Sequence, residues 1–187
     1  EGMISPPREG IMKLASYIRV AFATTFNIIL NALTLGRYVW LEGRVRNGVF
    51  RNWARRFRYT PPNFVQPTTE AEIIGLVKNS KRLRVFGSAH SFNRGVVAED
   101  TLISLDRYSG VIWKNPEKKQ LAVKAGTRVR DVVAALLDEG LAFAAQPSHD
   151  AQSIAGILST DVHGTGSNWG FVSESVVKLK LVDGKGE

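Results

Sequence analysis

Apolar positions recur along this chain in two rhythms. Val129, Val132, Val133, Leu136 and Leu137 fall at helical spacing and Gly140 follows them. Residues 128–139 are therefore expected to form an amphipathic helix with one buried stripe and a glycine stop. Thr69-Glu70-Ala71-Glu72 reads as a capping box, with Thr69 able to cap a free amide and Glu72 able to reach back. It should open a helix that runs to Asn79. Shorter apolar runs at 82–86, 102–105, 111–113 and 121–124 suit strands, and Asn115-Pro116 turns between the last two. Residues 151–158 suggest another short helix, and Val176, Leu179 and Leu181 a final strand before Asp183-Gly184. Tyr59-Thr60-Pro61-Pro62-Asn63 is a break whose two prolines stop any helix. Strands and helices alternate over short intervals, so the expected class is α+β. The folded domain is expected over residues 51–187, with residues 1–50 as an N-terminal appendage.

Residues 11–42 read as one helix or a pair. The run 20–36 holds no charged residue over 17 positions, the lower edge of a membrane span, but Thr24, Thr25, Asn27, Asn31 and Thr34 weaken it. Three readings stay open: a membrane-associated or marginally spanning helix, an apolar helix packed on the protein or a partner, and a targeting segment. The arginine-rich, acid-poor composition of the third suits import into an organelle such as the mitochondrion. Otherwise the chain is expected to be cytoplasmic. If the run spans, the arginines of 44–58 keep the domain on the cytoplasmic or matrix-like side.

The net charge of +8 changes meaning once it is located. Residues 1–60 carry ten basic and three acidic groups, and the other residues fifteen and fourteen. The charge belongs to the N-terminal region. A nucleic-acid-binding domain would carry its own basic face, so no nucleic-acid partner is expected. The chain has no cysteine, which excludes disulfides, cysteine-ligated metal and thiol catalysis and fits a reducing compartment.

Candidate chemistry sits in two small-residue stretches. In Gly87-Ser88-Ala89-His90-Ser91-Phe92-Asn93, glycine lets backbone amides approach an anion, and Ser88 and Ser91 can donate hydrogen bonds. A tight strand-to-loop connection explains the glycine equally well. His90 can be a nucleophile, a base or a hydrogen-bond partner, or a satisfied polar loop residue. The glycine pattern is neither Rossmann nor P-loop. The second stretch is Ser159-Thr160-Asp161-Val162-His163-Gly164-Thr165-Gly166. A histidine–glycine run can build an oxyanion hole, but the nucleophile elbow Gly-x-Ser-x-Gly is missing. A cofactor-lining turn fits better. His149 reads as a surface or loop residue. The three histidines have no metal-ligand spacing, and no metal site is expected.

Taken together, the two stretches resemble a known family. Arg84-Val85-Phe86-Gly87-Ser88-Ala89-His90-Ser91-Phe92-Asn93 resembles the pyrophosphate loop of the vanillyl-alcohol oxidase/p-cresol methylhydroxylase flavoproteins. The segment from Gln152-Ser153-Ile154-Ala155-Gly156 through His163-Gly164-Thr165-Gly166 resembles their second FAD-contact segment. Asn52-Trp53-Ala54, Pro62 and Pro67-Thr68-Thr69-Glu70 are similar to the start of the aldonolactone oxidase branch. The resemblance covers roughly residues 50–185. It implies two α+β subdomains with FAD between them. Gly87, Ser88, Ala89, His90 and Ser91 would wrap the pyrophosphate. Ser153, Gly156, Ser159, Thr160, His163 and Gly164 would line the other side. His90 falls where many members bond covalently to the flavin.

The implied reaction is oxidation of a sugar-1,4-lactone by hydride transfer to flavin, with oxygen or another electron acceptor. An alditol oxidase and a non-catalytic flavin-binding or interaction module are the alternatives. No catalytic residue over the flavin is identified, because the His-Trp-x-Lys-like stretch of relatives does not occur here. The chain is therefore expected to be a fragment or one part of a split enzyme, inactive by itself.

Overall fold

The computed structural model describes residues 44–187, together with Thr25 and Ile29. The chain divides into two units, Glu1–Trp40 and Leu41–Glu187, and the sheet-bearing domain is the second. Apart from Thr25 and Ile29, the helix expected over 11–42 lies outside the described residues. Among the described residues no helix is long and apolar enough to cross a membrane.

Among the described residues, strand pairing starts at Arg44. Strands β1 (Arg44–Arg46), β2 (Val49–Arg51) and β3 (Arg58–Tyr59) form an antiparallel meander. Asn47 and Gly48, at φ of 49° and 75°, close the first hairpin, a turn whose positive φ angles suit asparagine and glycine. Pro61 and Pro62 separate β3 from β4 (Asn63–Val65), so the expected break joins two short strands.

Helix α1 (Glu70–Asn79) follows, capped by Thr69, whose side chain accepts from the Glu72 amide at 3.2 Å. The Glu72 carboxylate reaches back to accept from the Thr68 amide at 2.7 Å, and the backbone amides of Thr68 and Thr69 both help to hold its pKa low. Strands β5 (Leu83–Phe86) and β6 (Thr101–Ser104) join β4 in a parallel sheet of order β4-β6-β5. The central strand β6 is buried along its whole length, as expected for a parallel strand covered on both faces. Phe50 of the meander is fully buried and packs its ring 5.1 Å from that of Phe86 and 5.4 Å from that of Tyr59. Burial of such a ring contributes about 2–3 kcal/mol. Around it Phe86, Ala89, Ala98 and Leu102 complete the first core.

The hairpin β7 (Val111–Asn115) and β8 (Gln120–Val123) leads into helix α2 (Val129–Leu137). Gly140, at φ 68°, ends that helix, and the Leu141 amide reaches back to the Leu136 carbonyl at 2.9 Å. Val129, Val132 and Leu136 are buried as the spacing predicts, but Leu137 is 58 % exposed. Helix α3 (Ile154–Leu158) and a 3-10 turn (Val172–Ser175) complete a second core of Val129, Ile157 and Val172.

The final strand expected around Val176, Leu179 and Leu181 does not form. Its alternation suits a strand, but among the described residues no neighbouring strand offers a ladder, and Val177, Leu179 and Leu181 are all exposed. The architecture is thus mixed helix and sheet, with two hydrophobic cores.

Candidate functional site

The loop after β5 is held from behind. Asn52, 2 % exposed, donates from Nδ2 to the Ser91 carbonyl at 3.2 Å and accepts from the Arg56 amide at 2.9 Å. The Trp53 amide donates to the Ala89 carbonyl at 3.0 Å. Ala89 sits at φ 54°, a conformation strained for a residue with a Cβ. Anchoring from both sides holds that turn open. Ser88 and Ala89 are buried beneath it, while Ser91 and Phe92 face solvent. No carboxylate occurs from Leu83 to Ala98, whereas Arg84 and Arg94 do. The loop's surroundings are suited to an anion.

The second segment meets this loop at Ser153. A Cβ on Gly87 would stand 2.1 Å from Ser153 Oγ, so only glycine fits against the Ser153 side chain as it stands. Ser153, 2 % exposed, caps α3 by accepting from the Gly156 amide at 3.2 Å. The Ile154 amide donates to the Thr127 carbonyl at 2.9 Å, which fixes the start of α3 against the strand-to-helix turn before α2. Ser159 Oγ donates to the Ala155 carbonyl at 2.7 Å and Thr160 Oγ1 to the Gly156 carbonyl at 3.0 Å. Both hydroxyl protons are therefore spent on the helix end.

His163 is exposed, with Nδ1 2.7 Å from the Gly164 carbonyl and its ring edge-on to Phe171 at 6.1 Å. Gly164 lies against residue 146, where an added Cβ would stand 2.8 Å from the Gln146 carbonyl oxygen. The structure therefore joins Gly87 directly to Ser153, while Gly164 lies against Gln146 and His163 against Phe171.

That segment supplies what sequence reasoning missed. The His149 ring lies 4.3 Å from the His90 ring, and Trp53 stacks on His90 at 4.8 Å and 19°. Nothing in the sequence pairs residues 53, 90 and 149. Gln152 opens the segment that resembles the second FAD contact but is not among the residues expected to line the cofactor. Its Oε1 is buried without a hydrogen-bond partner among the described residues. An orphaned buried acceptor costs about 1–3 kcal/mol, and a donor on a bound molecule would relieve it. FAD carries such donors in its ribityl, ribose, adenine and flavin groups. With the serines and the carboxylate-free loop, the residues present fit that cofactor. Among the described residues no group of three or more metal-ligating side chains converges.

Comparison with known proteins places this geometry. Residues 61–187 match the family model described as FAD binding domain. The chain is 33% identical over 154 residues to the D-arabinono-1,4-lactone oxidase of Eremothecium gossypii, covering 78% of this chain and 29% of that protein. It is 35% identical over 150 residues to the Saccharomyces cerevisiae D-arabinono-1,4-lactone oxidase, covering 76% and 28%. For the mitochondrial L-galactono-1,4-lactone dehydrogenase of Arabidopsis thaliana the figures are 34% over 135 residues, 70% and 22%. The chain thus spans less than a third of the length of these relatives. Among solved structures, the grass pollen allergen Phl p 4, with glucose dehydrogenase activity, superposes with a TM-score of 0.57 at 19% identity over 66% of this chain and 27% of that one. The cholesterol oxidase of B. sterolicum gives 0.52 at 18% identity over 68% and 26%. These two likenesses establish the fold alone. The chain belongs to the FAD binding domain family, of the vanillyl-alcohol oxidase/p-cresol methylhydroxylase type, and its cofactor is FAD.

Proposed function

We propose that this chain is the FAD-binding portion of an aldonolactone oxidase or dehydrogenase acting on a sugar-1,4-lactone of the arabinono-, gulono- or galactonolactone type. The observation that carries the reading is the contact of Gly87 with Ser153. It joins two segments that lie apart in the sequence but both fall within residues 61–187, the match to the FAD binding domain model; the lactone class is supported by the lactone oxidase and dehydrogenase relatives. Bound FAD supplies the hydride acceptor; the chain's own residues bind and orient it. Gly87, Ser88, Ala89 and Ser91 present the loop that faces the pyrophosphate. Ser153, Gly156, Ser159, Thr160, His163 and Gly164 line the opposite side, and Gln152 Oε1 receives a donor from the cofactor. His90 is the attachment residue for the flavin. Its ring is fixed by Trp53 and His149, so its imidazole is held in one place. Residues 51–187 form this FAD-binding part, and the mitochondrion is the compartment that suits it best.

The test is acid precipitation of one sample of the native protein and, on a separate native sample, anaerobic reduction with D-arabinono-1,4-lactone, L-galactono-1,4-lactone and a polyol panel. Flavin in the pellet, absent from a His90→Ala variant, supports attachment at His90. Bleaching by lactone supports the lactone reading, and bleaching by polyols alone replaces it with an alditol oxidase. Flavin in neither fraction, with no FAD bound on titration, removes the oxidoreductase reading.

A further inference from the structure

The break at Tyr59-Thr60-Pro61-Pro62 does more than stop a helix. Thr60 leaves the end of β3, the last strand in the order β1-β2-β3. Side chains alternate along an extended chain. Tyr59 turns inward against the first core, and Arg58 and Thr60 on either side of it are exposed. Arg58 and Thr60 therefore share the outer face, roughly 7 Å apart along the chain. Arg51 of β2 stands directly opposite Arg58, so it belongs to the same face. The Thr60 hydroxyl makes no hydrogen bond among the described residues.

Arg51 and Arg58 make no ion pair among the described residues. With Arg55, Arg56 and Phe57 they line an open hollow of about 360 Å³. Between Glu42 and Glu70 the chain holds no acidic residue. Guanidinium groups match phosphate with paired hydrogen bonds. A phosphate carried by Thr60 itself would meet Arg58 beside it and Arg51 across the strand pair. Pro61 supplies the second feature. A proline directly after the hydroxyl residue is what proline-directed kinases read, and they take their substrate extended. The ring of Pro61 holds Thr60 away from the helical region and so keeps it in that form. Ser5-Pro6 is the other such dipeptide of the sequence.

We propose that Thr60 is a phosphorylation site for a proline-directed protein kinase, and that Arg58 and Arg51 bind the added phosphate and staple β3 to β2. The Thr60 oxygen attacks the terminal phosphorus of ATP. A bond from phosphorus to Oγ1 forms, the bond to the β-phosphate oxygen breaks, ADP leaves, and the hydroxyl proton passes to a base on the kinase. Asn52, the residue after Arg51, donates to the Ser91 carbonyl, so the staple braces the strand that supports the cofactor loop. The proposal is independent of the reaction the protein carries out.

The full chain is incubated with a proline-directed serine/threonine kinase and magnesium ATP, well below its melting temperature, and phosphopeptides are mapped by mass spectrometry. Phosphate is expected on Thr60, retained at that position in Thr60→Ser and lost from it in Thr60→Val. The Ser5→Ala variant should be modified at Thr60 as the wild type is. The phosphorylated protein should melt about 2–4 °C higher, the shift that one or two charge-assisted hydrogen bonds give a domain of this size. Phosphatase treatment should return the melting temperature to its starting value. Arg51→Gln/Arg58→Gln should lose the rise while keeping the phosphate. In the wild type the rise should also shrink with added salt, a reading that needs no variant. No phosphate on Thr60, phosphate on Ser5 alone, or a phosphorylated protein that melts no higher than the unmodified one overturns the proposal. An equal rise in the phosphorylated double variant, or a rise indifferent to salt, overturns the assignment of Arg51 and Arg58.

Discussion

Gly87 and Ser153 touch so closely that a single added carbon on Gly87 would stand 2.1 Å from Ser153 Oγ and 3.1 Å from its Cβ. The serine cannot simply turn away, because its Oγ caps α3 through the Gly156 amide. The contact therefore couples the loop after β5 to the start of α3.

Gly87→Ala should force Ser153 off its cap and lower stability by about 1–3 kcal/mol, with weaker FAD binding. Adding Ser153→Ala removes the obstructing oxygen. The double variant should then cost less than the two single changes together, by about 0.5 kcal/mol or more. Chemical denaturation of the four proteins measures this, and strictly additive losses would count against the coupling.

Asn52 serves both the loop and the chain just after it, through Ser91, Arg56 and Phe57. Asn52→Ala leaves three partly buried backbone groups without their partner. A loss of about 2–3 kcal/mol is expected in urea denaturation. FAD affinity, measured under conditions where the variant is still folded, should fall as well. Unchanged affinity would show that the loop holds its shape without this residue.

His149 should act on flavin attachment through His90 and not on FAD binding itself, since its ring rests on that of His90 at 4.3 Å. His149→Ala should slow the appearance of acid-stable flavin by about tenfold or more, as small misplacements of a reacting group do. His149→Phe, which keeps an aromatic ring in place, should restore most of the rate. A time course of acid-precipitable flavin on apoprotein mixed with FAD reads the difference. Equal rates in all three proteins would remove His149 from the site.

Tyr59 should impose an alkaline limit on stability. Burial raises its pKa, opposed in part by the Ala98 amide that donates to its oxygen. The folded-state value lies above that of the unfolded chain, near ~10. Its contribution is therefore complete below that pH and is lost as pH rises through the folded value. Tyr59→Phe loses the bond to the Val96 carbonyl at 2.8 Å and should cost about 1 kcal/mol at neutral pH. The variant's stability should then fall less steeply than the wild type's above pH ~10. Parallel slopes in thermal melts across that range would contradict the assignment.

The local grammar of the chain is legible in its residues alone. The cap at Thr69, the stripe through Val129, Val132 and Leu136, the stop at Gly140 and most strand segments follow from propensity and spacing. Neighbouring residues decide such features. The glycine–histidine loops are legible as well, through the family they resemble, and with them the FAD assignment. The β1–β3 meander is not, since strands of two or three residues leave almost no periodic signal. The final apolar alternation misleads for the opposite reason: a strand needs a partner, and alternation alone does not supply one.

What the sequence determined by itself is therefore the set of elements and the residue types available to bind a cofactor. Only the tertiary structure decided which of them meet. It set Gly87 on Ser153, brought His149 and Trp53 to His90, buried Gln152 Oε1 without a partner among the described residues, and aligned Arg44, Arg51 and Arg58. The physical reason is the same in each case. These contacts join residues far apart in the chain, and their energies depend on strand register and backbone approach, which local propensity does not encode.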